Sequence, residues 1–194
     1  MKRIAFLTIL LWPVPMFAQD HAAHSAYAGL ETREIKTLSD ADLEDLRRGA
    51  GWGLALSAEL NGVPGPAHLL ELKDQIGLST EQVTAIEAIF TSMQAEAQAA
   101  GARFIEAEAA IETAFRNGGL TPETLRTLID TSAASRSELR FIHLVRHLET
   151  PDLLTAEQIA RYNELRGYSV GSACDAVPEG HDPEMWHRHN GCDN

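Results

Sequence analysis

The chain has 194 residues, and its 28 acidic against 16 basic residues give a net charge of −12 at pH 7. This balance argues against a nucleic-acid partner, because no basic cluster is dense enough to displace counterions from phosphate. With 44% hydrophobic residues, the composition is that of one globular domain and not of a disordered chain.

The N-terminus has the pattern of a secretory signal peptide. Lys2 and Arg3 form a basic head, residues 4–17 are mostly apolar, and Ala18 supplies a small residue for cleavage. The apolar run is too short for a transmembrane helix, and no cysteine follows it to carry a lipid. We therefore expect residues 1–18 to be removed and the mature protein to be periplasmic and not an integral membrane protein. Its 14 basic against 28 acidic residues would give a net charge of −14.

An all-α domain is expected over residues 38–168, preceded by a flexible, histidine-containing segment over residues 19–37. Ser39 or Asp40 can cap a first helix that runs to about Leu60. Glycines at positions 49, 51 and 53 weaken its continuity, at about 1 kcal/mol each relative to alanine, or mark close helix packing.

A short helix is predicted from Ala67 to about Ile76, and Gly77 ends it. Ser79 then opens a long helix, because Gln82 completes a capping box three residues on. Apolar or small residues recur along this helix at spacings that alternate between three and four. They are Val83, Ile86, Phe90, Met93, Ala97, Ala100, Phe104, Ala107, Ile111 and Ala114. Such a seam predicts a helix that packs along a partner helix.

The next helix is predicted from Pro122 to about Glu149, with Thr121 as its cap. The short connection makes the pair an antiparallel hairpin. Polar residues interrupt the middle of the second arm, namely Thr131, Ser132, Ser135 and Ser137. We therefore expect this part to be thin and partly solvated, or covered by another chain.

Residues after Pro151 complete the domain and form a tail. Thr155 with Gln158 makes a second capping box and predicts a helix to about Leu165. Residues 169–194 are expected to be irregular and closed by a disulfide between Cys174 and Cys192, the only two cysteines. Closing that loop would contribute about 3 kcal/mol. Two interpretations remain open, a tail stapled against proteases and a tail that gathers metal.

The sequence Leu-Ser-Thr-Glu-Gln at residues 78–82 and Leu-Thr-Ala-Glu-Gln at residues 154–158 form a repeated motif. They resemble the Leu-Thr-x-x-Gln motif of the Spy/CpxP family, which includes zinc-resistance-associated and CnrX-like metal-sensor proteins of the periplasm. The resemblance covers roughly residues 64–168, and Ser79 stands where the family has threonine. It implies a helical hairpin paired into a cradle-like homodimer, which holds unfolded proteins without ATP or senses and buffers metals.

His143 and His147 are four residues apart on a predicted helix, so both imidazoles project from one face and can share a cation. In the CnrX-like sensors a similar pair is completed by a ligand from another helix. We expect His68 and Glu71, which share a face of the short helix, to complete this site. The alternative is that the two histidines belong to a solvated polar stripe.

Two weaker metal sites are predicted in the tails. Cleavage after Ala18 would place His21 third in the mature chain, where it would form a square-planar site for Cu(II) or Ni(II) with the amine and two backbone amides. Cyclisation of Gln19 would abolish this site. His181, His187 and His189 are expected to collect metal loosely, unless the tail simply tolerates polar residues.

No nucleophile motif, phosphate loop or zinc-hydrolase signature occurs, so neither enzymatic activity nor an organic cofactor is expected. The sequence predicts a periplasmic metal-binding protein of envelope stress or heavy-metal resistance, with Cu, Zn or Ni as the ion. The alternative is an ATP-independent holdase for unfolded client proteins. A sensor that signals through a membrane-bound partner is a third class.

Overall fold

The computed structural model describes residues 27–168, 177, 182–190 and 192. Within these residues all regular secondary structure is helical, which confirms the predicted all-α class. The chain divides into a first unit, Met1–Thr32, and a main unit, Arg33–Asn194. The described part of the first unit contains a 3-10 helix at Leu30–Thr32.

The described part of the main unit contains eight α-helices. They are α1 Asp40–Arg48, α2 Leu56–Glu59, α3 Pro66–Glu71, α4 Lys73–Ile76, α5 Thr80–Asn117, α6 Pro122–Glu149, α7 Ala156–Arg166 and α8 Pro183–Asn190. A 3-10 helix, Pro151–Leu153, follows α6. Among the described residues, no helix combines the length and apolar character that crossing a membrane requires.

The predicted starts of the long helices are confirmed. Ser79 caps α5 in a capping box with Gln82, and Thr121 caps α6 with Pro122 in its first turn. Thr155 and Gln158 form the capping box of α7. These signals are local, since each cap bonds an amide three residues ahead in the chain.

Helices α5 and α6 pack against each other in antiparallel register. Three polar pairs join them: Glu108 with Ser132, Arg103 with Glu138 at 2.9 Å, and Glu96 with Arg146 at 2.5 Å. From the first pair to the third, the partner on α5 moves from residue 108 to 96 while the partner on α6 moves from 132 to 146, so the two helices are antiparallel. The buried residues of α5 are largely those of the predicted seam, namely Ile86, Met93, Ala97, Ala100, Phe104 and Ala107, joined by Gly101.

The polar middle of α6 is largely exposed to solvent: Thr131 and Ser137 are exposed, Ser135 is half-buried and Ser132 is buried. Ile35, Leu38 and residues of α1 pack with α5, Leu139 and Ile142 in one apolar core. Ser132 is buried there and donates to Glu108. The prediction that this part of α6 is thin and partly solvated is therefore confirmed. Burial of Ile35 also places the start of the packed domain before residue 38.

Two predicted helices are corrected. The helix predicted from Ser39 to Leu60 ends at Arg48, because Gly49 adopts the left-handed conformation (φ 70°) and its amide bonds back to α1. A Cβ on Gly49 would lie 2.7 Å from the carbonyl oxygen of Gln94, so this glycine does mark close packing of α1 on α5. The helix predicted from Ala67 to Ile76 is split at Leu72 into α3 and α4.

The tail predicted to be irregular contains α8. The Asp182 carboxylate accepts a hydrogen bond from the Met185 amide at 2.9 Å, and Pro183 occupies the first helical position, which together start this helix. Cys192 is disulfide-bonded, and Cys174, the only other cysteine, lies outside the described residues.

Candidate functional site

A cavity of about 450 Å³ lies between α5, α6 and residues 48–68. Its apolar walls include Trp52, Leu56, Pro66, Phe90 and Met93, and its polar groups are Arg48, Glu59, His68, Gln94, His143 and His147. Its size is typical of sites that bind small molecules, which combine apolar walls with a few polar groups. The cavity therefore brings together three of the four residues predicted for the main metal site.

The His147 ring is held in one orientation by the backbone. Its Nδ1 lies 2.8 Å from the carbonyl oxygen of Val63. A carbonyl oxygen can only accept, so Nδ1 carries the hydrogen and the neutral ring has its lone pair on Nε2. Imidazoles that bind metals are commonly oriented in this way by a carbonyl or carboxylate on the other ring nitrogen.

Gly65 packs directly on the same ring. A Cβ at this position would lie 2.5 Å from Cε1 and 2.6 Å from Nε2 of His147, closer than atoms can approach. Only glycine fits between residue 64 and the start of α3 without moving the imidazole. This contact with His147, 82 positions away in the chain, has no local sequence signal.

His143 is buried, with 3% of its surface exposed, and its Nε2 has no hydrogen-bond partner. Burial lowers its pKa, and the neighbouring His147 lowers it further, so the ring is neutral at pH 7. A buried polar atom without a partner costs about 1–3 kcal/mol. This nitrogen therefore carries a lone pair or a hydrogen that has no hydrogen-bond partner among the described residues.

Glu59 forms a buried network on another part of the wall. Its Oε1 accepts hydrogen bonds from the Tyr162 hydroxyl at 2.5 Å and from Arg166 Nε at 3.1 Å, and lies 3.0 Å from His68 Nδ1. Burial alone would raise the pKa of Glu59, but hydrogen bonds from His68 and Tyr162 and the charges of His68 and Arg166 outweigh it and lower the pKa to about 2. Burial and the same contact raise the pKa of Tyr162. The network links α2 and α3 to α7.

The four predicted ligands of the main site are not assembled around one point. Among the described residues, no three or more His, Cys, Asp or Glu side chains are close enough to hold a metal ion. Glu71 is exposed and does not line the cavity, and Nδ1 of His68 is paired with Glu59. His143 and His147 remain as a pair of imidazoles that line the same cavity.

Met93 belongs to the predicted helix seam and also lines the cavity. It is buried on α5 and its thioether is a ligand type that, together with imidazole, suits copper. Glu59 and Trp52 were missed, because their placement depends on the unpredicted break between α1 and α2.

The tail sites can be followed only in part. His21, His181 and Cys174 lie outside the described residues, as does the side chain of His189. His187 lies on α8 and is half-buried. The square-planar and tail sites therefore stay predictions.

Comparison with known proteins finds no matching family model, no matching curated protein and no matching solved structure. The resemblance to the Spy/CpxP family rests on the two motifs at residues 78–82 and 154–158.

Proposed function

We propose that this chain binds a transition-metal ion through Nε2 of His143 and Nε2 of His147, and that it buffers or senses this ion in a periplasmic stress or resistance response of the Spy/CpxP type. The observation that carries the proposal is the unpartnered, buried Nε2 of His143, a residue that lines one cavity together with His147. A metal ion would supply the missing partner.

The chemistry of both rings supports this role. Metals bind the neutral imidazole, and burial keeps His143 in that form. The hydrogen bond from His147 Nδ1 to Val63 leaves the lone pair of that ring on Nε2. Since Met93 adds a thioether to the same wall, copper fits the donor set better than Zn(II) or Ni(II).

Metal titrations of the mature chain by calorimetry and thermal unfolding test the proposal. The double variant His143→Leu/His147→Gln removes both ligands, and glutamine retains an N–H donor for the Val63 carbonyl. Its matched control replaces the histidines of both tails by alanine, at positions 21, 24, 181, 187 and 189. We expect the control to keep the tightest site and lose only weak binding, while the double variant loses that site with its helical content intact. The opposite pattern would assign all metal binding to the tails.

One surface favours the holdase function as a second candidate. Phe141 and Leu148 on α6 are 65% and 74% exposed, beside the ion pairs of Arg146 with Glu96 and Glu149. Exposed apolar side chains next to charge are what binding of unfolded chains requires. Suppression of client aggregation at stoichiometric protein, unchanged by chelator and lost in Phe141→Ser/Leu148→Ser, would support this function.

The same substitutions test the predicted homodimer. If light scattering gives a dimer mass for the parent and a monomer mass for Phe141→Ser/Leu148→Ser, the apolar surface of α6 is an interface between two copies and not a client site.

A further inference from the structure

The described residues supply only part of the coordination that an ion at this cavity requires. Zn(II) and Cu(II) commonly take four ligands in tetrahedral or square-planar geometry, and His143 and His147 supply two. No further His, Cys, Asp or Glu joins them in the part of the chain that the structure describes. Glu59, the carboxylate on the wall, already binds three side chains. Even with Met93 bound, the described residues leave at least one position to be filled by another group.

The cavity is much larger than an ion and its water ligands need. It measures about 450 Å³, whereas one water occupies about 30 Å³. Trp52, Leu56, Pro66 and Phe90 line it with apolar surface, which offers poor hydrogen bonding to a cluster of waters. Space of this size and character suits a small organic molecule with an apolar body.

Trp52, which forms one wall of the cavity, has a strained backbone conformation. Trp52 has φ 43°, a left-handed conformation that costs a non-glycine residue about 1–2 kcal/mol. Its position is fixed by the hydrogen bond from Nε1 to Asp42 at 2.8 Å, by the Phe104 ring 5.7 Å away and by the Arg136 guanidinium 5.3 Å from the indole centroid. The indole is thus a rigid wall before any ligand enters.

From these observations we infer that the cavity binds its metal ion as a complex with a small bidentate organic chelator. His143 and His147 occupy two positions on the metal, the two donor atoms of the chelator occupy two more, and its apolar body lies against Trp52 and Phe90. This inference rests on the proposed function and adds that the cargo is a metal complex and not the free ion.

The test compares free Cu(II) with the preformed 1:1 complex of Cu(II) and 2,2′-bipyridine, each titrated into the mature chain in the same buffer and followed by calorimetry and by the visible spectrum of the copper. We expect one complex per chain, bound at least tenfold more tightly than free Cu(II). The variant His143→Leu/His147→Gln should lose the tight binding of both probes and keep only the weak binding of free Cu(II) by the tails.

A cavity-filling variant separates the chelator from the ion. Leu56 lines the cavity but is 54% exposed, so Leu56→Trp can fill the space without disrupting the core. It should weaken binding of the complex at least tenfold and leave free Cu(II) within twofold of the parent. Leu60→Trp is the matched control, because Leu60 is 61% exposed on the next turn and does not line the cavity. It should change neither probe, and circular dichroism verifies that both variants are folded.

Three outcomes would overturn the inference and leave the proposed function standing: bipyridine strips copper from the protein, the complex binds no more tightly than the free ion, or Leu56→Trp weakens both probes equally. Bipyridine that binds equally well without copper would also overturn it. If neither free Cu(II) nor the complex binds, the proposed function fails as well.

Discussion

The side-chain amides of Gln82 and Gln158 hydrogen-bond each other in both directions, from Gln82 Nε2 to Gln158 Oε1 at 2.8 Å and in reverse at 3.0 Å. Each glutamine also closes the capping box of its own helix, since its Oε1 accepts from the amide of Ser79 at 2.9 Å or Thr155 at 3.0 Å. The two copies of the repeated motif therefore meet, and they join the first turn of α5 to the first turn of α7.

A double-mutant cycle measures this connection. Gln82→Ala and Gln158→Ala should each lower the free energy of unfolding by about 1 kcal/mol, because each removes a cap contact and the shared pair. The double variant should lose about 0.5–1 kcal/mol less than the sum, since the shared pair can be removed only once. Urea denaturation supplies the four values.

Thr121→Ala provides the control for that cycle, because Thr121 caps α6 at the other end of α5. Combined with Gln82→Ala, it should give additive losses. Additivity for Gln82 and Gln158 as well would mean that the two amides do not interact in solution.

Replacement of Gly65 tests the contact that holds the His147 ring. Gly65→Ala would place a Cβ 2.5 Å from the imidazole, so the ring or the chain before α3 must move. We expect a loss of about 2 kcal/mol in unfolding free energy, as for an overpacked core, and weaker metal binding. Gly51→Ala is the matched control, because nothing lies within 4 Å of a Cβ there. Equal effects of the two substitutions would indicate a general backbone effect in place of a specific contact with His147.

Local sequence signals predicted the frame of this fold well. The caps at Ser79, Thr121 and Thr155 act within one helical turn, so each is legible from four adjacent residues. The seam of α5 is equally local, because the spacing of its small and apolar residues defines one helix face whatever covers it.

The site depends on contacts that no local pattern encodes. Val63 and His147 are 84 residues apart, and Glu59 and Tyr162 are 103 apart. The burial of Glu59 could not be predicted from the sequence, because it depends on the break at Gly49. That break places Glu59 on a separate helix, α2. That His143 and His147 lie on one face could be predicted because both are on one helix. The positions of His68 and Glu71 relative to that pair depend on the tertiary fold, which the sequence pattern does not give.

Glu59 should make the free energy of unfolding depend on pH. Its folded-state pKa of about 2 lies below the ordinary value of 4.5, so the fold favours the charged form. The stabilisation is therefore complete above about pH 4.5 and is lost as the pH falls towards 2. The difference between the two values corresponds to about 3 kcal/mol.

Glu59→Gln should remove most of this contribution at pH 7 and flatten the pH profile of unfolding between pH 4.5 and 2. The control Glu87→Gln, at an exposed position of α5, should retain the parent profile. A parallel acid transition in Glu59→Gln and the parent, measured by urea denaturation across this range, would assign the acid sensitivity to other carboxyl groups.

His143 gives the most direct test of whether the site exists for a ligand. Its Nε2 is buried without a partner, so in the metal-free protein the polar ring costs stability. His143→Leu replaces it with an apolar side chain of similar size and removes that cost, so the metal-free variant should be as stable as the parent or more stable by about 1 kcal/mol. His147→Leu should instead lose about 1–2 kcal/mol, because it breaks the bond to Val63. Both variants should lose the tight metal site.

Urea denaturation in the presence of a chelator gives the stabilities, and a metal titration of the same samples gives the binding. If His143 lowers the stability of the metal-free protein and binds metal, its role is metal binding and not packing. If His143→Leu destabilises the metal-free protein as much as His147→Leu does, His143 serves the packing of α6 and the metal site must be sought elsewhere.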